Sequence, residues 1–209
     1  MNPRIVSLAA VILAVLHLGA AHTHAALITG VSASTNDPSS VGNPNYVANG
    51  AGLPGNVPAL AGTHTYMAAS NVWVSAYGTG HITFNLGGSY FVSGMSFWPL
   101  NGNNTVCIKD VQVLSSTDGS NFTPVPGAPS VLPQGPWVAP VGPTSFSFTG
   151  APEATHIRFN LISNYGYRSG LNYPEAGLAE VQFDGTPVPE PGPLGLLALI
   201  GLSRIRRRR

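Results

Sequence analysis

Charge is what this sequence has least of. Asp, Glu, Lys and Arg together make up 8% of its 209 residues, where an average soluble domain carries roughly a quarter. That shortage excludes coiled coils, charged helical repeats, acidic disordered chains and most nucleic-acid-binding surfaces. Cysteine is nearly missing as well. With Cys107 alone, no internal disulfide can form, so the core must hold the fold without a covalent staple. A lone Cys in apolar sequence reads as a small buried hydrophobe. Enzyme signatures are lacking: there is no Gly-x-Ser-x-Gly elbow, no His-Glu-x-x-His, no phosphate-binding Walker loop and no dinucleotide fingerprint. No His lies near Cys107 in sequence to activate it as a nucleophile. The acids show no pattern that would pair two carboxylates as a glycosidase needs.

Glycine (25) and proline (19) are plentiful, which suits a loop-rich β protein. The basic residues are segregated. Arg4 lies at the start, Arg204 and Arg206 to Arg209 at the end, and only Lys109, Arg158 and Arg168 between. Against these three stand Asp37, Asp110, Asp118, Glu153, Glu175, Glu180 and Asp184, leaving the middle at about −4. A body of that sign repels phosphate backbones, so nucleic acid is not an expected partner.

The middle reads as short strands separated by turns. His81–Leu86 alternates, with Ile82, Phe84 and Leu86 on one face, and Gly87-Gly88 turns the chain. Val92–Trp98 follows with Met95 and Phe97 on one face; Ile108–Ser115 alternates through Val111 and Val113 up to the Asp118-Gly119 turn. Ser145–Thr149 and His156–Leu161 alternate in turn, and Leu178–Phe183 places Ala179, Val181 and Phe183 inward. No window carries a helical period of useful length. These strands, with one or two near Leu27–Ser34, predict an all-β, antiparallel sandwich over residues 26–185, enough chain for one core. The tryptophans Trp73 and Trp98 are expected to pack inside it.

The order of these strands resembles a known family. His81-Ile-Thr-Phe-Asn-Leu-Gly-Gly-Ser-Tyr-Phe-Val-Ser-Gly-Met95, Phe97-Trp98, Ile108-Lys-Asp-Val111, Ser115-Ser-Thr-Asp-Gly-Ser-Asn-Phe122, Ala154-Thr-His-Ile-Arg-Phe159 and Gly177-Leu-Ala-Glu-Val-Gln-Phe183 are similar to the template of the discoidin or coagulation-factor type C domain. That family is a jelly roll of the galactose-binding-like fold, and the resemblance spans about 27–185. It implies non-catalytic binding, commonly of glycans, through loops at one end of the sandwich. Many members carry a structural calcium near an early Asp-Gly loop, closed by a late carboxylate. Here Asn49-Gly50 occupies the loop, with Asn49 in place of Asp, and Glu180 matches the carboxylate; Glu180 facing solvent is the alternative.

The ligand site expected from the residues is Asn164–Tyr173. A sugar ring offers an apolar C–H face and a hydroxyl rim, which call for flat aromatics and amide or guanidinium donors. Tyr165, Tyr167, Arg168, Asn172 and Tyr173 supply both, and His64 is a candidate rim donor. The alternative is that these tyrosines pack the loop and Arg168 pairs with Glu175.

The two ends carry different information. Met1–Ala25 has a basic residue, a short apolar run from Ile5 to Leu18 and small residues before a cleavage point, which predicts a secretory signal helix. At the other end, residues 186–209 run from Val188-Pro189-Glu190-Pro191 through the apolar Leu194–Leu202 to Arg206-Arg207-Arg208-Arg209. This order resembles the PEP-CTERM sorting signal of Gram-negative bacteria. It implies a short apolar C-terminal helix, passage through the inner membrane, recognition by an exosortase and delivery to the cell surface or extracellular polysaccharide matrix. Nine apolar residues make roughly 14 Å of helix, against a hydrocarbon core of about 30 Å. The expected protein is thus exported, carries one jelly roll and binds extracellular polysaccharide. The alternatives are a structural matrix protein without a ligand site and a small glycan hydrolase.

Overall fold

A computed structural model describes residues 25–137, 140–166 and 174–189. Ten strands make up the fold: β1 (Ala26–Leu27), β2 (Ser32–Thr35), β3 (Ser39–Gly42), β4 (Trp73–Ser75), β5 (Gly80–Pro99), β6 (Val111–Ser116), β7 (Thr123–Pro124), β8 (Thr144–Ser147), β9 (Glu153–Leu161) and β10 (Ala176–Pro187). Every strand pairing is antiparallel.

β5 organises the sandwich. Its first arm, Gly80–Asn85, lies between β2 and β9. Its second, Val92–Pro99, lies between β10 and β8. The chain turns over between the arms, at Gly87, whose φ of +74° suits glycine. A front sheet β2-β5-β9-β6-β7 and a back sheet β3-β4-β10-β5-β8 therefore share one strand. Gly80 pairs with Leu161 and Pro99 with Leu178, while the bridges Ile108–Asn164 and Cys107–Gly177 tie these neighbourhoods together. Both ends of β5 thus lie at one pole, with the 76–79, 100–110, 131–137 and 162–166 segments and residues 174–175. At the other pole Ala26 pairs with Gly185, and the Val188 amide donates to the Ser89 carbonyl.

The interior follows from alternation. Ile82, Phe84 and Leu86 meet Ile157, Phe159 and Leu161 of the same sheet, and Met95, Phe97, Val181 and Phe183 opposite. Phe84 packs edge-to-face on Phe159 at 5.2 Å and on Phe183 at 5.3 Å, contacts worth about 0.5–1.5 kcal/mol each beyond their area. Trp73 is fully buried there, its Nε1 donating to Ser39 Oγ at 3.0 Å.

One inward assignment needs correction. A bulge between Leu178 and Glu180 inserts an extra residue, so Ala176 and Leu178 face the interior before it and Val181 and Phe183 after it. Ala179 falls on the opposite face. A bulge breaks the two-residue period on which the expectation rested.

Candidate functional site

Residues 48–72 contain no strand, yet Leu53, His64, Asn71 and Val72 among them are buried. This strap lies across the outer face of the back sheet, held by three side-chain bonds. Ser96 Oγ donates to the Leu60 carbonyl at 2.7 Å, Trp98 Nε1 to the Gly62 carbonyl at 2.9 Å, and the Gly50 amide to Glu180 Oε1 at 3.2 Å. A second apolar cluster forms beneath it from Leu53, Val72, Val74, Trp98, Leu100, Val106, Cys107 and Ala179. The Cys107 thiol donates to the Leu100 carbonyl at 3.0 Å, and burial pushes it up to about 11, so it is an inert packing group.

His64 belongs to this strap and is not a rim donor. It is fully buried; Nδ1 lies 2.8 Å from the Thr65 carbonyl and Nε2 3.0 Å from the Asn71 carbonyl. Burial pushes its pKa below the ordinary histidine value, against the pull of those carbonyls. Its backbone also exchanges both hydrogen bonds with Val141, at 2.8 and 3.1 Å. The reason for the correction is simple: no ring nitrogen reaches the surface.

What the strap exposes is the residue two places on. The Asn71 side chain accepts from the Ala68 amide at 2.6 Å and donates to Thr65 Oγ1 and the Tyr66 carbonyl, both at 3.1 Å. Asn101 Nδ2 donates to the Thr65 carbonyl at 3.0 Å from the other side. The backbone of 65–67 is thereby fixed while the Tyr66 side chain remains 52% exposed. Beneath its ring lies Gly102, at φ +106°; a Cβ there would stand 2.8 Å from Tyr66 Cζ and 2.7 Å from Met67 Cγ. The Gly102 amide donates to the Pro136 carbonyl at 3.2 Å, which brings Trp137, 55% exposed, alongside. Gln134 Nε2 donates to the Asn104 carbonyl at 3.1 Å, fixing the same two segments. The result is a platform at the loop pole: Gly102 joins the two loops that carry the exposed aromatics Tyr66 and Trp137, and the same loops carry the amide residues Asn103, Asn104 and Gln134.

More apolar surface is exposed at this pole. Tyr77 follows β4; Val131 lies opposite Asp110 in a β-bridge, and the Ile162 amide donates to the Asp110 carbonyl. Of the expected ligand residues, Tyr165 is half-buried against the second cluster, its hydroxyl donating to the Leu132 carbonyl at 2.7 Å. Tyr165 therefore packs the loop. Tyr167, Arg168, Asn172 and Tyr173 lie outside the described residues. Glu175 accepts a hydrogen bond from Ser40 Oγ.

The two expected calcium residues differ in their surroundings, though Glu180 bonds the residue that follows Asn49. Asn49 is exposed, and its Oδ1 accepts from the Ala51 amide at 3.0 Å. Glu180 is fully buried, not solvent-facing; Oε1 takes the Gly50 amide and Gln182 Nε2, the latter at 2.5 Å. Glu180 Oε2 and Gln182 Oε1 are buried without a hydrogen-bond partner. Burial pushes the Glu180 carboxyl up to about 8. Two orphaned oxygens fit a hard cation, but one carboxylate is a small charge for a divalent ion. Among the described residues no group of three or more His, Cys, Asp or Glu comes together.

Of the tail, Val188 and Pro189 are described, following β10; Glu190, Pro191 and Arg206 to Arg209 lie outside the described residues, as does the signal segment.

No family model matches the chain, and no curated protein does. Solved structures do. The CBM32-5 carbohydrate-binding module from Clostridium perfringens, in complex with GalNAc-β-1,3-galactose, aligns at a TM-score of 0.50 and 18% identity over 76% of this chain and 99% of that one. CBM32-1 from a family 31 glycoside hydrolase of the same organism aligns at 0.51 and 13%, over 75% and 95%. A C. perfringens family 89 glycoside hydrolase, solved with 2-acetamido-1,2-dideoxynojirmycin, aligns at 0.51 and 17% over 78% of this chain, which spans only 15% of that enzyme's length. Identities this low speak to architecture alone: the chain has the antiparallel jelly-roll sandwich of the carbohydrate-binding modules it aligns with.

Proposed function

We propose that the protein is a non-catalytic glycan-binding module whose binding surface is the loop pole. The observation that carries this reading is the placement of Tyr66 and Trp137. All the aromatics between the sheets are spent on packing, whereas these two are held outward by a fixed backbone, at no benefit to the core. Exposed rings beside amide groups match the two faces of a pyranose. The fold's likeness to modules crystallised with sugars supports the reading. Affinity electrophoresis of the full chain through gels containing a panel of polysaccharides tests it. Retardation by at least one glycan that is lost in Tyr66→Ala and Trp137→Ala is expected. A protein that migrates freely through all of them is the structural matrix protein instead.

The oxygen pair Glu180 Oε2 and Gln182 Oε1 would hold a structural cation, with Asn49 taking no part. Such an ion would supply positive charge to the Glu180 carboxylate, whose other oxygen accepts from the Gly50 amide of the strap, and with one carboxylate it would bind weakly. A rise in melting temperature with millimolar Ca2+ over EDTA, abolished in Glu180→Gln, is the expected result; equal melting temperatures in both would remove calcium from the account.

The tail motif supports export and sorting to the cell surface or polysaccharide matrix through an exosortase. Mass spectrometry of the exported protein checks this: a product ending between Pro187 and Pro191 is expected.

A further inference from the structure

We infer that the Tyr66–Gly102–Trp137 platform takes an internal stretch of a neutral polysaccharide, holding it by stacking and amide hydrogen bonds with no ion pairing. The inference rests on the glycan-binding reading and adds the charge and the mode of the ligand. Its basis is a gap in the sequence. From Pro38 to Ile108, and again from Gly119 to Pro152, the chain has no Lys, Arg, Asp or Glu. Every segment that builds the platform, 65–67, 101–104 and 134–137, falls within these two stretches. The titratable imidazole beneath it is His64, which is fully buried, with both ring nitrogens taken up by the Thr65 and Asn71 carbonyls. Lys109 and Asp110, which lie in the gap between the stretches, are paired with each other at 3.3 Å. Among the described residues this surface offers no cation of its own segments to meet a uronate or sulfate, and burying an unpaired anion against it costs free energy.

The mode follows from exposure. A chain-end sugar is held by an enclosing pocket that satisfies its hydroxyls on several sides. Tyr66 and Trp137 are each more than half exposed and stand on separate loops about one glycine. Rings so placed stack on successive sugars of a strand lying across them, leaving the other ring faces in water.

Tryptophan fluorescence reads this site by itself. Of the three tryptophans, Trp73 and Trp98 are fully buried and Trp137 is exposed, so acrylamide quenching of the full chain reports on Trp137. The chain is titrated with a length series of oligosaccharides from each of two neutral polymers, a β-galactan and a glucomannan, and from two uronate polymers, polygalacturonate and alginate, in 20 mM and 500 mM NaCl. Protection of Trp137 by a neutral series is expected, unchanged by salt. The hexasaccharide should bind about tenfold or more tightly than the monosaccharide, as one further stacked ring provides. Tyr66→Ala should weaken binding to the same degree while the melting temperature stays put. Protection by uronates alone, lost in high salt, overturns the neutral-ligand inference and leaves glycan binding standing. Equal affinity for monosaccharide and hexasaccharide overturns the internal mode. If no saccharide protects Trp137 and none retards the protein in affinity gels, the wider reading falls as well.

Discussion

Two apolar clusters in this molecule are built by opposite rules. The one between the sheets is made mostly by strands, and its centre is aromatic: Phe84, Phe159 and Phe183 close on one another at ring distances of 5.2 to 6.5 Å. The one under the strap is made by a segment with no strand, and polar groups are threaded through it. His64, Asn71, Ser96, Asn101, Glu180 and Gln182 are all buried there or at its margin. Regular backbone satisfies its own hydrogen bonds, so the inner core needs little beyond small hydroxyls such as Ser75 and Ser115. An irregular strap cannot satisfy its own, and it recruits side chains to cap its carbonyls and amides. The difference teaches where function sits: the outer cluster fixes loops, and fixed loops can hold side chains out in water.

The sharpest way to break that contrast is at its stiffer half. Phe159→Ala should cost about 3–5 kcal/mol, seen as a large fall in the denaturant midpoint. A loss below about 1 kcal/mol would mean that the sheets do not close on that ring. Next comes pH, which should act through the outer cluster. Glu180 ionises in the unfolded chain near its ordinary value of 4.5 but in the folded protein only at about 8. Between those values the unfolded state gives up its proton while the folded state keeps it. Stability should therefore be unaffected by this group below about 4.5, fall by a few kcal/mol as pH rises through the window, and level off above about 8. Urea melts from pH 4 to 9 in EDTA measure the slope, and Glu180→Gln should flatten it.

Smaller still, His64→Ala leaves the Thr65 and Asn71 carbonyls without their ring partners and should cost about 1–3 kcal/mol. Because it also loosens 65–71, it should weaken glycan binding, whereas Phe159→Leu, a change in the inner core, should lower stability without touching affinity. Smallest in stability are the platform substitutions themselves. Tyr66→Ala and Trp137→Ala should shift folding free energy by less than about 0.5 kcal/mol, as exposed side chains do, while abolishing retention on glycan gels.

The same contrast explains what could be read from the sequence. Strands whose side chains alternate were legible to within a few residues: His81–Leu86 and His156–Leu161 appear as read, because a half-buried strand writes its geometry into every second residue. The bulge at Leu178–Glu180 hid the turn of Ala179, since an inserted residue leaves no compositional mark. The strap was illegible for a deeper reason. Its Gly- and Pro-rich sequence looks like surface connection, and nothing local shows that Leu53 or His64 will be covered. Trp137 sits in a Pro-rich stretch without pattern, and only the hydrogen bond of its neighbour Pro136 with Gly102, from 34 positions earlier in the sequence, brings it to the loop that meets Tyr66. The one signal that could have pointed there was charge: the platform segments fall in the chain's longest runs without any.

The pairing of Ala26 with Gly185 has a further consequence. The described chain enters and leaves by the same end of the sandwich, next to Ser89, and the aromatic rings crown the far end. Anything that grips the chain beside Ala26 or Val188, a lipid bilayer or a covalent graft alike, holds it by the foot. The rings then point away from the point of attachment, toward whatever polymer drifts past, and no hinge is required to aim them.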